Sequence, residues 1–197
     1  MNRAVFLDRD GVVNRVVVRD GKPYPPSGPD ELEITPGVGP ALQRLADAGF
    51  RLIVVTNQPD VARGTQTRGG VEAIHAELHR RLPMITDFRC CFHDDVDRCP
   101  CRKPAPGLLL EAARDLDIDL KKSYMIGDRW RDVEAGGAAG CRTVFIDYGY
   151  RERQPENPDK VVQTIEEAVE WILGEPSSAD GTAGHEKAMG HRSTCEQ

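Results

Sequence analysis

At 197 residues, with 39% hydrophobic and 29% charged side chains, the chain has the make-up of one soluble globular domain that can bury a real core. Its formal net charge of −6 argues against a nucleic-acid partner, which would call for a basic stripe. No apolar run reaches the roughly 20 residues of a bilayer span, and the segment before Asp8 is too short for a signal peptide, so no membrane contact and a cytoplasmic location are expected.

In chain order, Val5-Phe6-Leu7 is a short apolar run that ends in charge, as a buried parallel strand does. Residues 12–35 carry Gly21, Pro23, Pro25, Pro26, Gly28 and Pro29 and read as a long loop, and such loops inside compact domains are usually functional. Pro36-Gly37 introduces a helix with Val38, Leu42, Leu45 and Ala46 on its apolar face, stopped at Gly49. Leu52-Ile53-Val54-Val55 reads as a second buried strand, and residues 67–82 as a helix burying Val71, Ile74 and Leu78. A third strand is expected over 88–91. A cysteine-rich loop follows it, then a helix over 108–116. Tyr124-Met125-Ile126 and Thr143-Val144-Phe145-Ile146 read as strands, with helices over 132–139, ending at Gly140, and over 164–173.

Strands that alternate with helices predict an α/β three-layer sandwich around a parallel, Rossmann-like sheet. Ligands of such sheets bind beyond the carboxyl ends of the strands. Asp8 with Asp10, Thr56 with Asn57, and Asp128 stand at three such ends. From 174 onward the composition turns to Gly, Ser, Ala, Glu and His, and a disordered tail over 174–197 is expected. His185, His191 and Cys195 lie in it and read as solvated side chains rather than a second metal site.

Asp8 and Asp10 are two residues apart, so in an extended segment they face the same way. Two carboxylates this close repel unless a cation joins them or one is protonated. A magnesium ion meets that need through carboxylate and phosphate oxygens. Gly127-Asp128 adds a third carboxylate, and Asp132 a supporting fourth. Thr56 offers a hydroxyl and Lys103 a fixed positive charge, both suited to phosphate oxygens.

Over residues 5–132 this ordered set resembles the four motifs of the haloacid dehalogenase-like (HAD-like) phosphatase superfamily. The resemblance implies a magnesium-dependent phosphatase domain over 1–173 without a large cap. It implies that Asp8 attacks phosphorus and that Asp10 acts as general acid, then general base. Thr56 and Lys103 would hold the phosphoryl oxygens. Asp8, the Asp10 backbone carbonyl and Asp128 would bind magnesium. Asp132 would orient Lys103 or a metal-bound water. The sequence departs from the usual pattern at Val12, where a Thr is common.

Six cysteines in a cytosolic chain point to metal or buried thiols rather than disulfides. Cys91, His93, Cys99 and Cys101 suit a closed, tetrahedral, structural zinc site in a loop spanning 90–103. Cys90 competes with Cys91 on position, and the Cys-x-His spacing and the resemblance favour Cys91. Cys141 reads as a buried thiol. Because Cys101 adjoins Arg102 and Lys103, the zinc would fix two cations beside the phosphate.

Cys-x-His…Cys-x-Cys-Arg-Lys-Pro resembles two groups within the superfamily. One removes the 7-phosphate of D-glycero-D-manno-heptose 1,7-bisphosphate and the other is the histidinol-phosphate phosphatase group. The five residues between His93 and Cys99 are similar to the short loop of the second group. The segment from Thr56 to Gly64, with departures at Pro59 and Asp60, resembles the first, as do Lys103-Pro104-Ala105-Pro106-Gly107 and the residues from Ser123 to Asp128. The heptose group is favoured. By that resemblance Arg102 would recognise the substrate and a second anionic group, with Asn57, Gln58, Lys103 and Arg129 also meeting it. The expected partner is a small phosphorylated sugar, or an amino-alcohol phosphate on the alternative reading. A nucleic-acid end phosphatase and a catalytically silent zinc-binding interaction module are lesser alternatives. A cap-less enzyme needs no second copy to close its site, so a monomer is expected.

Overall fold

The first apolar run forms β1 (Ala4–Leu7), buried along its whole length. The computed structural model describes residues 1–19 and 22–174. Within them β1 sits in a six-stranded sheet with β4 (Arg51–Asn57), β5 (Ile85–Cys91), β6 (Tyr124–Gly127), β7 (Arg142–Ile146) and β8 (Lys160–Val162). The order is β5-β4-β1-β6-β7-β8 and every pair is parallel. Between β1 and the first helix, β2 (Val17–Arg19) and β3 (Lys22–Tyr24) form a separate antiparallel hairpin.

Alternate strand residues point to opposite faces, and the two faces are covered by different helices. Val5, Leu7, Leu52, Val54, Ile126 and Val144 meet α1 (Val38–Asp47), α2 (Arg68–Arg81) and α5 (Ile165–Gly174). Ala4, Phe6, Ile53, Val55 and Met125 meet α3 (Gly107–Leu116) and α4 (Trp130–Ala139). This is the expected three-layer α/β sandwich.

Three elements differ from the sequence reading. The loop over 12–35 contains the β2–β3 hairpin, which prolines and glycines hide from a pattern of alternation. β5 begins at Ile85 rather than 88, because only Ile85 and Cys91 of this edge strand are fully buried and its hydrophobic signal is weak. β8 has three residues and pairs only with β7, too short a run to register. Of the expected tail, only Gly174 is among the described residues. None of the described helices is long and apolar enough to cross a membrane.

Because β1 lies between β4 and β6, the carboxyl ends of these three strands are neighbours. Asp8, Thr56 and Asp128 are therefore brought together by strand order.

Candidate active site

Asp8 follows β1 directly and is 7% exposed. Its Oδ1 accepts hydrogen bonds from Lys103 Nζ and from the Arg9 backbone N–H, each at 2.8 Å. Lys103 arrives from the loop before α3 with 2% exposure, and its ammonium also donates to the Val55 carbonyl at 2.8 Å and meets Asp132 Oδ1 at 2.6 Å. Burial alone would favour the neutral amine. Asp132 and Asp8 outweigh it and hold the Lys103 ammonium well above its usual range. Asp132 gives its other oxygen to the Arg129 N–H at 3.0 Å, at the start of α4. Both of its oxygens are thus committed, and it orients Lys103.

Asp10 lies in a different environment. Its Oδ1 accepts from Asn14 Nδ2 at 3.0 Å, and its Oδ2 accepts from Gln58 Nε2 at 2.7 Å and Arg9 Nη2 at 2.8 Å. Burial pushes its carboxyl up, but the Arg9 guanidinium and these hydrogen bonds outweigh burial and hold it below the ordinary range. Burial dominates at Asp8, which is pushed up to about 6 despite Lys103. Arg9 itself is fully buried and its Nη1 lies 3.2 Å from His75 Nε2. An arginine can only donate, so this nitrogen of His75 is the acceptor and carries no proton. Burial, then the Arg9 charge, lowers His75 to about 4 and keeps the ring neutral. The sequence reading singled out none of Arg9, Asn14 and His75. Arg9 gave no signal, since an extended Asp-x-Asp would turn it away from both carboxylates, whereas the chain turns at Arg9 and its guanidinium reaches Asp10.

Asp128 is the unpaired group of the site. It is 1% exposed, and neither carboxylate oxygen has a hydrogen-bonded partner. Burial first, then the charges of Asp8 and Asp132, raise it well above the ordinary value. The Tyr150 hydroxyl lies near enough to lower it somewhat without closing a well-formed hydrogen bond. Asp8, Asp128 and Asp132 each place a carboxylate oxygen within 4.8 Å of the others. An orphaned buried carboxylate beside a second one is a donor set that fits a hard divalent cation. The Asp10 side chain is already engaged by Asn14, Gln58 and Arg9. Glycines make the close approach available. Gly11 has φ of +100°, and a Cβ there would lie 1.9 Å from Asp128 Oδ2. A Cβ on Gly127 would lie 2.1 Å from that of Asp132.

At the end of β4, the buried Thr56 hydroxyl accepts from the Gln58 amide at 2.9 Å and keeps its own proton for another acceptor. Gln58 thereby bridges Thr56 and Asp10. Asn57 clamps the Lys103 backbone from both sides: its amide donates to the carbonyl at 2.9 Å and its oxygen accepts from the N–H at 3.0 Å. These residues line a cavity of about 190 Å³, together with Val16, Tyr24 and Pro25 from the hairpin segment and Arg63, Arg129 and Arg131. Arg129 is paired with Glu152. Arg102 is not part of the cavity wall. It donates to Asp95 Oδ1 at 2.8 Å and to the His93 carbonyl at 3.2 Å. Arg63 and Arg131, which the sequence reading did not single out, are in the wall.

Beside the cavity, Cys91, His93, Cys99 and Cys101 converge. Cys91 Sγ lies 3.6 Å from His93 Nδ1, 3.6 Å from Cys99 Sγ and 3.1 Å from Cys101 Sγ. Cys101 Sγ lies 3.4 Å from both Cys99 Sγ and His93 Nδ1. Sulfurs around a tetrahedral zinc with bonds of about 2.3 Å stand about 3.8 Å apart. The observed spacing is slightly tighter, and the donor set could hold a zinc ion with four protein ligands. Cys90, one residue away, is outside the cluster, and burial pushes its thiol up to about 12. Cys141 is buried, and desolvation pushes it up to about 12 as well.

A parallel sheet with Asp8, Thr56, Lys103 and Asp128 meeting at its carboxyl edge defines a HAD-like hydrolase, and residues 100–168 match the HAD-hydrolase-like family. The chain is 36% identical over 151 residues to the D-glycero-β-D-manno-heptose-1,7-bisphosphate 7-phosphatase of Bordetella bronchiseptica, covering 75% of this chain and 82% of that one. It is 35% identical over 181 residues to the enzyme of the same name from Escherichia coli K12, covering 86% and 87%. This chain belongs to the D-glycero-D-manno-heptose-1,7-bisphosphate 7-phosphatase family. The crystal structure of the D,D-heptose 1,7-bisphosphate phosphatase from B. bronchiseptica, complexed with magnesium and phosphate, superposes with a TM-score of 0.75 at 33% identity, covering 88% of this chain and 99% of that one.

Proposed function

We propose that this chain removes the 7-phosphate of D-glycero-D-manno-heptose 1,7-bisphosphate through an aspartyl-phosphate on Asp8. The observation that carries the reaction type is one pair of neighbouring carboxylates pushed in opposite directions beside a buried ammonium. Lys103 and the Arg9 N–H fix the Asp8 carboxylate for attack on phosphorus. Thr56 and Lys103 hold the phosphoryl oxygens. Asp10, kept ionised in the resting site, is suited to take a proton from the hydrolytic water. Its earlier task, protonating the leaving oxygen, requires a proton, and the negative charge of the arriving phosphate raises its affinity for one. Magnesium, held by Asp8, the Asp10 carbonyl and Asp128, would supply positive charge against the repulsion of carboxylate and phosphate. Zinc would be structural, with no open position.

The substrate reading is supported by the named relatives and by three arginines in the cavity wall, Arg63, Arg129 and Arg131. Guanidinium groups suit a second phosphate and oppose the ammonium of histidinol phosphate. A monomer and a cytoplasmic location remain our reading. Comparison of kcat/KM on the heptose bisphosphate and on histidinol phosphate tests the assignment. Preference for histidinol phosphate would overturn the substrate and leave the chemistry standing.

A further inference from the structure

We propose that His75 is a positioning residue for proton transfer at Asp10: it holds the buried Arg9 guanidinium from behind, and Arg9 in turn sets the direction of the Asp10 carboxyl. The proposal rests on the Asp8–Asp10 mechanism above and deepens it.

Proton transfer needs the carboxyl within hydrogen-bond reach of the reacting oxygen, so an acid that can swing is a poor one. The Asp10 side chain borders the catalytic cavity, and three neighbours hold it there. Arg9 turns Nε to both oxygens at 3.1 Å and Nη2 to Oδ2 at 2.8 Å. Gln58 donates to Oδ2 at 2.7 Å, and Asn14 to Oδ1 at 3.0 Å. Oδ2 therefore faces two short donors and Oδ1 one, which makes Oδ1 the oxygen with room for the transferred proton. As Asp8 bonds to phosphorus and the bond from phosphorus to the leaving oxygen breaks, the electron pair goes to that oxygen, which takes the proton from Asp10. Water then attacks phosphorus, the Asp8 carboxylate leaves, and a proton of that water passes to Asp10.

Arg9 supplies the fork of this cradle, and its own place depends on His75. The Arg9 side chain is fully buried, so its N–H groups must find acceptors within the protein. Nε and Nη2 find Asp10, and Nη1 finds His75 Nε2 at 3.2 Å. His75 belongs to the 14-residue helix α2, and its ring stacks on Phe88 of β5 with the planes 22° apart. Helix and sheet thus fix the acceptor from two sides. Without it, the buried Nη1 is stranded and the guanidinium must tilt toward another partner. A planar fork cannot tilt at Nη1 without moving Nε and Nη2, and the Asp10 carboxyl follows. Asp8 is spared, because its bond from Arg9 comes through the backbone N–H. Loss of His75 should therefore harm the step that needs the Asp10 proton and leave the nucleophile in place.

The test is the ratio of kcat/KM on the heptose bisphosphate, whose alkoxide needs a proton to leave, to that on p-nitrophenyl phosphate, whose phenolate leaves without one. Histidinol phosphate is also an alkyl ester and serves equally if it proves the better substrate. Asp10→Asn, which removes the acid, should lower the ratio about 100-fold or more. His75→Leu should lower it about 10-fold, through kcat rather than KM for the alkyl ester, as a misplaced catalytic group does. His75→Gln, which still accepts from Arg9, should bring it back near the wild-type value. Arg9→Lys, which keeps the charge and loses the fork, should also lower the ratio, and it decides the point if His75→Leu does not assemble. Zinc content and thermal unfolding confirm that each variant is assembled. A wild-type ratio in His75→Leu, whether both rates hold or fall together, would leave His75 with packing alone and overturn this proposal. The mechanism would stand as long as Asp10→Asn lowers the ratio, and an unchanged ratio in Asp10→Asn would overturn both.

Discussion

Asp8 and Asp10 have the same side chain, two positions apart, and the protein drives them in opposite directions. Asp8 sits deep among carboxylates with one ammonium to hold it, whereas Asp10 gathers donors from Arg9, Asn14 and Gln58. Oppositely shifted carboxylates mark a division of labour between nucleophile and proton carrier. Asp8→Asn is accordingly expected to lower kcat by roughly 10⁴-fold or more, with thermal unfolding and zinc content near those of wild type. Substantial hydrolysis by that variant would remove the covalent mechanism. The same residues set a linkage to metal. Asp8 and Asp128 are raised by burial, so between 3.8 and about 6 the folded protein holds protons on them that the unfolded chain releases. Without a cation they cost stability as pH rises through that window. His75, lowered to about 4 from 6.5, has the opposite slope over much of it. His75 does not bind the metal, so it cancels in a comparison with and without magnesium. Magnesium replaces protons on the two carboxylates, and its effect on Tm should therefore be larger at about pH 8 than at about pH 5. A larger effect at the lower pH would contradict this account of Asp128.

At the scale of elements, the buried Arg9 ties α2 to the catalytic loop. His75 on α2 accepts from Arg9 and stacks on Phe88 of β5, with ring centroids 5.0 Å apart. Loss of the acceptor strands a buried N–H, which costs about 1–3 kcal/mol. His75→Leu should lower stability by that order, while His75→Gln, which can still accept, should lose less. Urea unfolding of the two variants reads the difference, and equal losses would leave only ring packing to account for His75. The elements themselves were legible where a long apolar period meets a clear stop, as in α1 before Gly49 or β4 before Asn57. They were hidden in the proline- and glycine-rich hairpin of β2 and β3, and in β8, three residues long with only Val162 buried. In the site, carboxylates at strand ends and clustered thiols are readable because residue type alone declares their chemistry. The tasks of Arg9 and His75 depend on which neighbour a long side chain reaches, and Arg102, placed against substrate by resemblance, donates to Asp95 in this structure.

Across the whole molecule, the cysteine cluster joins pieces of the site that the sheet alone does not fix. Cys91 ends the edge strand β5, and Cys101 leads through Arg102 to Lys103, whose backbone Asn57 clamps from β4. Arg63 reaches from the loop after β4 to Asp94 within the same metal-ligand loop. A zinc ion at the four ligands would thus hold three chain segments in register, and its binding energy would be part of the folding energy. Purified protein is expected to contain one zinc per chain that survives mild magnesium chelation, as elemental analysis reads. Stripping that zinc with a strong chelator, or replacing Cys101 with Ser, should lower Tm and kcat together, since the loop that delivers Lys103 loosens. Added magnesium should restore neither, and added zinc should restore both in the stripped wild type. If zinc-free protein keeps its full Tm and kcat, the thiols hold the loop by packing alone, and the delivery of Lys103 does not depend on the metal.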